Sequence, residues 1–249
     1  MLVTGVTNKG KERPRNEDCC FAVQDSDLAL LVVADGMGGH KAGNVASEIA
    51  VTTAEKYWNN INRDKPLSAQ DAKDLVKDLI TEANQAVISE ADNCFEKRGM
   101  GTTLTAGLLN GDHLIIGHIG DSRAYLVNND QIELLTRDHS LLEQLIQSGQ
   151  VKPEEAKKHP KRHVLTRALG ASSDLQIDIS DFIIEPGSVL LFCTDGLTNH
   201  VEDDEILTVI TGQKDPQLQA ESLVALANAR GGCDNITVVI AADIGGQPD

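Results

Sequence analysis

Three apolar runs constrain the fold of this chain more than any other feature of its sequence. Each is short enough for a buried strand and reaches an aspartate beside a glycine; the runs are LALLVVADG (28–36), LIIGHIGDS (114–122) and VLLFCTDG (189–196). A carboxylate at a strand end is held rigidly, and the glycine lets backbone or ligand come close. If Asp35, Asp121 and Asp195 share one end of a sheet, their mutual repulsion requires a cation, and hard divalent ions take such oxygen ligands. The runs therefore predict a metal site.

Length and composition indicate one globular domain spanning residues 1–249. No apolar stretch approaches the roughly 18 residues of a membrane span, and the first residues lack a basic region leading into an apolar one. The five cysteines are odd in number and lack the spaced pairs of a zinc site, so we expect reduced thiols. These observations predict a soluble, cytoplasmic protein without a membrane partner.

The charge balance narrows the possible partners. A formal net charge of −16 argues against nucleic acid, because binding a polyanion requires many Lys and Arg contacts. It does not argue against a phosphorylated substrate, since bound metal would cancel part of the negative charge. Six of the 22 Lys and Arg residues fall between 152 and 167, so the charge is unevenly distributed.

The first half of the chain alternates between groups of strands and a pair of helices. Strand-like segments at 3–6, at 19–23 and from Leu28 precede helical apolar spacing over 41–58 and 68–94. The S-A-Q-D sequence beginning at Ser68 resembles a capping box. Four strands follow, at about 102–109, 113–119, 123–128 and 131–135. Their N-G-D and N-N-D turns suggest hairpins, so we predict an antiparallel meander.

The second half begins with a segment of different character, approximately 138–172. It combines a short helical pattern with a basic run, which indicates either a flap beside the site or a solvated connection. Two strands (175–184, 188–193), two helices (203–211, 216–229) and a last strand, ITVVIAA, follow. Because strands and helices cluster without strict βαβ alternation, the pattern favours an α+β layered fold.

Seven short motifs occur in one order along the chain: R-P-R-N-E-D (13–18), A-D-G-M-G-G-H (34–40), G-T-T (101–103), G-D-S-R (120–123), D-H-S (138–140), T-D-G (194–196) and D-N (234–235). Together they resemble the metal-dependent protein serine/threonine phosphatases of the PPM family, type 2C, in compact bacterial form. The resemblance covers about residues 5–242. It implies a four-layer αββα sandwich, in which two antiparallel sheets are flanked by helices, with a small flap subdomain.

The resemblance also implies a dinuclear Mn²⁺ or Mg²⁺ centre. Asp35 would bridge the two ions, Gly36 would contribute its carbonyl, and Asp195 and Asp234 would bind one ion directly. Asp121, with Asp195, matches a third metal position found in bacterial members. Two cations about 3.5–4 Å apart lower the pKa of a bridging water and hold phosphate oxygens in line for attack.

Further residues receive roles in catalysis by the same resemblance. Glu17 and Asp18 would act largely through ordered waters, and Arg13 would grip the substrate phosphate, for which its planar paired donors are suited. Many members carry a histidine general acid where this chain has Met37, so that role does not transfer. We hypothesise that His40 helps to bind substrate or donate a proton, with a metal-bound water as rival donor. His40 could instead only open the following helix.

These observations predict an enzyme that hydrolyses phosphoserine and phosphothreonine in proteins. The expected partners are phosphorylated proteins, including bacterial Ser/Thr kinases and their targets, and the expected state is a monomer. Two alternative functions remain open. One is a non-catalytic phosphoprotein-binding module, although its metal aspartates would then be expected to be lost; the other is a metal-dependent phosphoesterase acting on small phosphorylated metabolites.

Overall fold

The computed structural model describes residues 1–38, 42–63, 67–128, 130–152, 155 and 159–244. Its strands are β1 (Leu2–Asn8), β2 (Asp18–Asp25), β3 (Leu28–Met37), β4 (Gly101–Thr102), β5 (Leu104–Asn110), β6 (His113–Ile119), β7 (Arg123–Asn128), β8 (Gln131–Leu134), β9 (Asp178–Ile183), β10 (Val189–Cys193) and β11 (Ile236–Ala242). Its α-helices are α1 (Gly43–Asn60), α2 (Ala69–Asn93), α3 (Leu141–Gln147), α4 (Asp195–Thr198), α5 (Asp203–Thr211) and α6 (Pro216–Ala229).

The strands form two antiparallel sheets. The first has the order β1-β11-β10-β7-β8, and the second has the order β2-β3-β5-β6-β9, with the short β4 also paired to β3. Strand β3 shows how the sequence produces layers. Alternate residues Ala29, Leu31 and Val33 pack between the two sheets, whereas Leu30 and Val32 pack against α1 and α2. This two-residue period buries both faces of the strand.

The first sheet has the same organisation with other helices. In β10, Leu190 and Phe192 pack between the sheets, whereas Leu191 and Cys193 join the core formed with α5 and α6. The layers therefore run helices, sheet, sheet, helices. This confirms the predicted four-layer α+β sandwich.

The predicted meander is wrong, although its two hairpins form. Strands β5 and β6 pair in the second sheet, and β7 and β8 pair in the first, but β6 and β7 do not pair with each other. The chain crosses between the sheets at residues 120–122. Gly120 has φ +111°, and a Cβ there would lie 2.5 Å from the Thr103 side chain, so this crossing requires glycine. Turn residues indicate a hairpin but not the sheet to which it belongs.

The helix ends agree closely with the sequence patterns. The Ser68 side chain accepts the Asp71 N–H at 3.1 Å and so caps α2. Only half of the predicted capping box forms, because the Asp71 carboxylate accepts the Ser68 hydroxyl and not the Ser68 backbone N–H. The short helix α4, directly after β10, was not predicted. Within the described ranges, no helix is both long and apolar enough to cross a membrane.

Candidate metal centre and active site

An open cavity of about 1120 Å³ collects most of the residues predicted for the site. Its lining includes five acidic side chains, together with Arg13 and Gly36; the acidic residues are Glu17, Asp35, Asp121, Asp195 and Asp234. They come from both sheets, because Asp35 lies in β3 and Asp195 follows β10. Asp18 is not among the lining residues and is only 8% exposed. His40 falls outside the described residues, so its role stays a prediction.

Asp18 is a buried carboxylate with only one of its two oxygens satisfied. It begins β2 directly opposite Asp35 in the strand register. Its Oδ2 accepts hydrogen bonds from the hydroxyls of Thr194 at 2.8 Å and Thr237 at 2.7 Å. Its Oδ1 has no hydrogen-bond partner within the described ranges. Burial raises the pKa of Asp18 to about 7, against the opposing effect of the two hydroxyls.

Asp35 is fixed through its backbone by the G-T-T motif. Its N–H donates to Thr103 Oγ1 at 2.9 Å, and its carbonyl accepts from the Thr103 N–H and the Thr102 hydroxyl, both at 2.9 Å. Removal from bulk water raises the pKa of Asp35 well above its usual range, and the nearby carboxylates raise it further. The side chain that the family resemblance assigns as the bridge is thus affected by four other carboxylates, those of Asp18, Asp121, Asp195 and Asp234.

The remaining aspartates, Asp121, Asp195 and Asp234, differ in their neighbours. Burial, followed by repulsion from Asp195, raises the pKa of Asp121 to about 8. Asp195 Oδ2 accepts from Asn199 at 3.0 Å, whereas its buried Oδ1 has no hydrogen-bond partner in the described part of the chain. Asp234 Oδ2 accepts from Arg13 Nη2 at 2.7 Å. Arg13 is therefore already directed at the carboxylate cluster.

Gly36 lies where no side chain can be accommodated. A Cβ at this position would lie 2.2 Å from the Gly43 carbonyl oxygen and 2.4 Å from that of Glu17. The Gly36 N–H donates to the Glu17 carbonyl at 3.1 Å, and the Ser47 hydroxyl donates to the same oxygen at 2.6 Å. This close approach joins β3, the start of α1 and the R-P-R-N-E-D loop beside the carboxylates.

The donor set fits hard divalent cations. Oxygen ligands predominate. Two buried carboxylate oxygens, Asp18 Oδ1 and Asp195 Oδ1, have no hydrogen-bond partner among the described residues, and the pKa values of Asp18, Asp35 and Asp121 are raised. The side chains are not arranged as a finished cage, because no group of three His, Cys, Asp or Glu in the described ranges is disposed to hold an ion as it stands. A bound cation would relieve the repulsion among these carboxylates.

Comparison with known proteins identifies the family. A model of the family described as Protein phosphatase 2C matches residues 7–226. The chain belongs to the protein phosphatase 2C family. It is 36% identical over 235 residues to the Serine/threonine phosphatase stp of Listeria innocua, a match covering 94% of this chain and 92% of that protein. It is also 36% identical over 243 residues to the Protein phosphatase PhpP of Streptococcus pneumoniae, covering 97% of each.

Solved structures give the same result. The phosphatase matches the Mycobacterium tuberculosis serine/threonine phosphatase PstP/Ppp with a TM-score of 0.86 and 33% identity over 97% of each chain. It matches the catalytic domain of PstP in complex with two manganese ions with a TM-score of 0.83 and 32% identity, again over 97% of each chain. The chain is therefore a protein serine/threonine phosphatase that depends on divalent metal.

Several residues of the phosphatase site were missed by sequence reasoning. Thr194 and Thr237 hold Asp18 from two other strand ends, and Asn199 supports Asp195. Asn235 accepts the Glu17 N–H at 2.8 Å and donates to the carbonyl of Arg15 at 2.9 Å, so it fixes the R-P-R-N-E-D loop. The available signal was a hydroxyl or amide residue within one to four positions of a metal-site aspartate.

The segment after α3 also reaches the phosphatase cavity. Arg162, His163 and Arg167 are among the lining residues, and His163 Nδ1 lies 3.8 Å from Asp195 Oδ2. An isolated bridge between Ser140 and Leu165 closes the base of this segment. The described end of the basic run, at Arg162 and His163, thus borders the carboxylate cluster.

Proposed function

We propose that this phosphatase binds two Mn²⁺ or Mg²⁺ ions in the cavity, with Asp35 as the bridge and Asp195 and Asp234 as direct ligands. A third ion would use Asp121 with Asp195, the Gly36 carbonyl would complete the centre, and Glu17 and Asp18 would act through waters. The observation that carries this proposal is the convergence of five carboxylates on one cavity, together with one oxygen each on Asp18 and Asp195 that finds no hydrogen-bond partner within the described structure.

The chain's own residues divide the remaining work. Bound divalent ions would neutralise the phosphate charge and acidify the attacking water. Arg13, held beside the cluster by Asp234, presents paired N–H donors to phosphate oxygens. Thr102 and Thr103 hold the Asp35 backbone, so the bridging carboxylate keeps its position while substrate enters. His40 keeps its proposed part in substrate binding or proton donation, and Met37 leaves the usual histidine role vacant.

The proposed substrates are phosphoserine and phosphothreonine residues of proteins, including Ser/Thr kinases and their targets. An open cavity of about 1120 Å³ bordered by Arg162, His163 and Arg167 suits a peptide chain better than an isolated small metabolite. We assign residues 138–172 as the flap of a single domain. A monomer in the cytoplasm is part of the same proposal.

The test is release of phosphate from a phosphothreonine peptide with and without Mn²⁺, beside a phosphotyrosine peptide and a sugar phosphate. We expect metal-dependent release from the phosphothreonine peptide alone. Asp35→Asn and Asp234→Asn should abolish it with the fold intact, whereas Asp112→Asn, at a side chain 66% exposed, should not. Full activity in either of the first two variants would contradict the proposed centre, and preference for the sugar phosphate would contradict the substrate class.

A further inference from the structure

The G-D-S-R and D-H-S motifs interlock directly behind the Asp121 turn. Arg123 donates from Nε to Asp138 Oδ1 at 2.9 Å and from Nη2 to Asp138 Oδ2 at 2.7 Å, which is a bidentate pair. Asp138 begins the segment that we assign as the flap. The two motifs are 15 residues apart at this pair, so a specific contact joins the turn to the start of the flap.

His139 holds both polar backbone groups of Gly120, the residue before Asp121. The His139 N–H donates to the Gly120 carbonyl at 2.7 Å, and the Gly120 N–H donates to His139 Nδ1 at 3.1 Å. Gly120 has a positive φ and packs on Thr103, so contacts on its other side also restrict the position of the turn. His139 is 6% exposed, and burial lowers its pKa, which favours the neutral ring that can accept at Nδ1.

The other edge of the same ring faces the returning end of the flap. Because Nδ1 accepts, the ring proton resides on Nε2, which lies 3.0 Å from Asp178 Oδ2. Arg167 donates to the other oxygen of Asp178 at 2.8 Å, and the Thr166 N–H donates to the His139 carbonyl at 2.8 Å. Thr166 and Arg167 both line the catalytic cavity. Through Asp178 in β9, one buried ring therefore connects the Asp121 turn with Arg167 at the cavity-lining end of the flap.

We propose that His139 is a positioning residue that fixes the Asp121 carboxylate through Nδ1 and the returning end of the flap through Nε2. This inference rests on the proposed role of Asp121 as a metal ligand. It assigns different tasks to the two ring nitrogens. Loss of the Nδ1 contact should weaken metal binding at the Asp121 position, whereas loss of the Nε2 contact should affect only substrates large enough to touch the flap.

Two amide replacements separate the tasks. His139→Asn places an acceptor near the position of Nδ1 but does not reach Asp178; His139→Gln places an amide N–H near Nε2 but leaves the Gly120 N–H without its acceptor. Mn²⁺ binding to the metal-free protein is measured by titration calorimetry. The KM and kcat values are measured on a phosphothreonine peptide and on p-nitrophenyl phosphate. His113→Gln, at an exposed histidine that begins β6, is the matched control.

For His139→Gln we expect the weakest Mn²⁺ step to weaken about tenfold, with the peptide KM near that of the wild type. For His139→Asn we expect Mn²⁺ binding within about threefold of wild type, while the peptide KM rises about fivefold and the p-nitrophenyl phosphate KM is unchanged. Asp178→Ala, at a partly exposed position, should reproduce the His139→Asn result and provides the test if a histidine variant does not fold.

The inference is overturned if the Asn and Gln variants shift the same parameter together, if neither differs from His113→Gln, or if Asp178→Ala weakens Mn²⁺ binding. An error in the proposed function would show separately. In that case Asp35→Asn would keep its activity, whatever the His139 variants do.

Discussion

Replacing Asp18 with asparagine should stabilise the metal-free phosphatase increasingly as the pH rises. Asp18 is 8% exposed, and burial raises its pKa from 3.8 to about 7. Between these two values the folded protein binds more protons than the unfolded chain, so the stability that depends on Asp18 falls with increasing pH. At about 1.4 kcal/mol per pKa unit, the full loss is about 4 kcal/mol, of which about 2 kcal/mol falls between about pH 5.5 and about pH 8.

Asparagine carries no charge, and its side-chain oxygen can still accept from Thr194 and Thr237. Urea unfolding in the presence of a chelator, at those two pH values, gives the free energy of unfolding for both proteins. The advantage of Asp18→Asn over wild type should grow by about 2 kcal/mol from the lower to the higher pH. Asp112→Asn, at a largely exposed carboxylate, should show no such change. Added Mn²⁺ should stabilise the wild type more than Asp18→Asn.

The reasoning would be refuted if the difference in free energy of unfolding between Asp18→Asn and wild type stayed constant with pH or shrank as the pH rises. Either result would mean that Asp18 does not hold a buried, uncompensated carboxylate in the metal-free protein. Because each comparison uses variant minus wild type at one pH, the titrating groups that do not interact with Asp18 cancel to first order.

Two further predictions concern the supports of the site. Thr103→Val leaves the buried N–H of Asp35 without its acceptor and should lower the free energy of unfolding by about 1–3 kcal/mol in urea titrations, together with a loss of kcat; unchanged stability would contradict the assigned contact. Arg13→Ala should raise the KM for a phosphothreonine peptide about tenfold with a smaller change in kcat, and Arg13→Lys should recover only part of the loss; a pure kcat effect would contradict a role in substrate capture.

Local patterns in the sequence were sufficient to predict most of the helices and strands. The strand over the apolar run from Leu28 and the helix after Ser68 depend on neighbouring residues, and both elements formed as predicted, although only half of the capping box at Ser68 did. The exchange between sheets at residues 120–122 was not predictable in this way. Whether β7 joins β6 or β10 depends on contacts with a strand more than 60 residues later in the chain.

The same limit applies to the carboxylates. Asp18 was recognised by its motif, but its hydroxyl donors, Thr194 and Thr237, are 176 and 219 residues away in sequence. His139 was noted only as part of D-H-S, because its contacts with Gly120 and Asp178 exist only after the sheets have packed. Residue types predict which groups can bind metal, whereas their orientation and support depend on long-range packing.

The position of the last strand has a consequence for biosynthesis. β11 lies between β1 and β10, and among the described strands it is the only sheet neighbour of β1. A nascent chain that has emerged only as far as α6 therefore holds β1 unpaired and lacks Asp234 and Thr237. Closing the sheet then joins segments more than 200 residues apart, which is slow compared with local hairpin formation. Phosphatase activity should thus begin only after β11 has joined the sheet, so a chain synthesised only as far as α6 would not act on phosphoproteins at the ribosome.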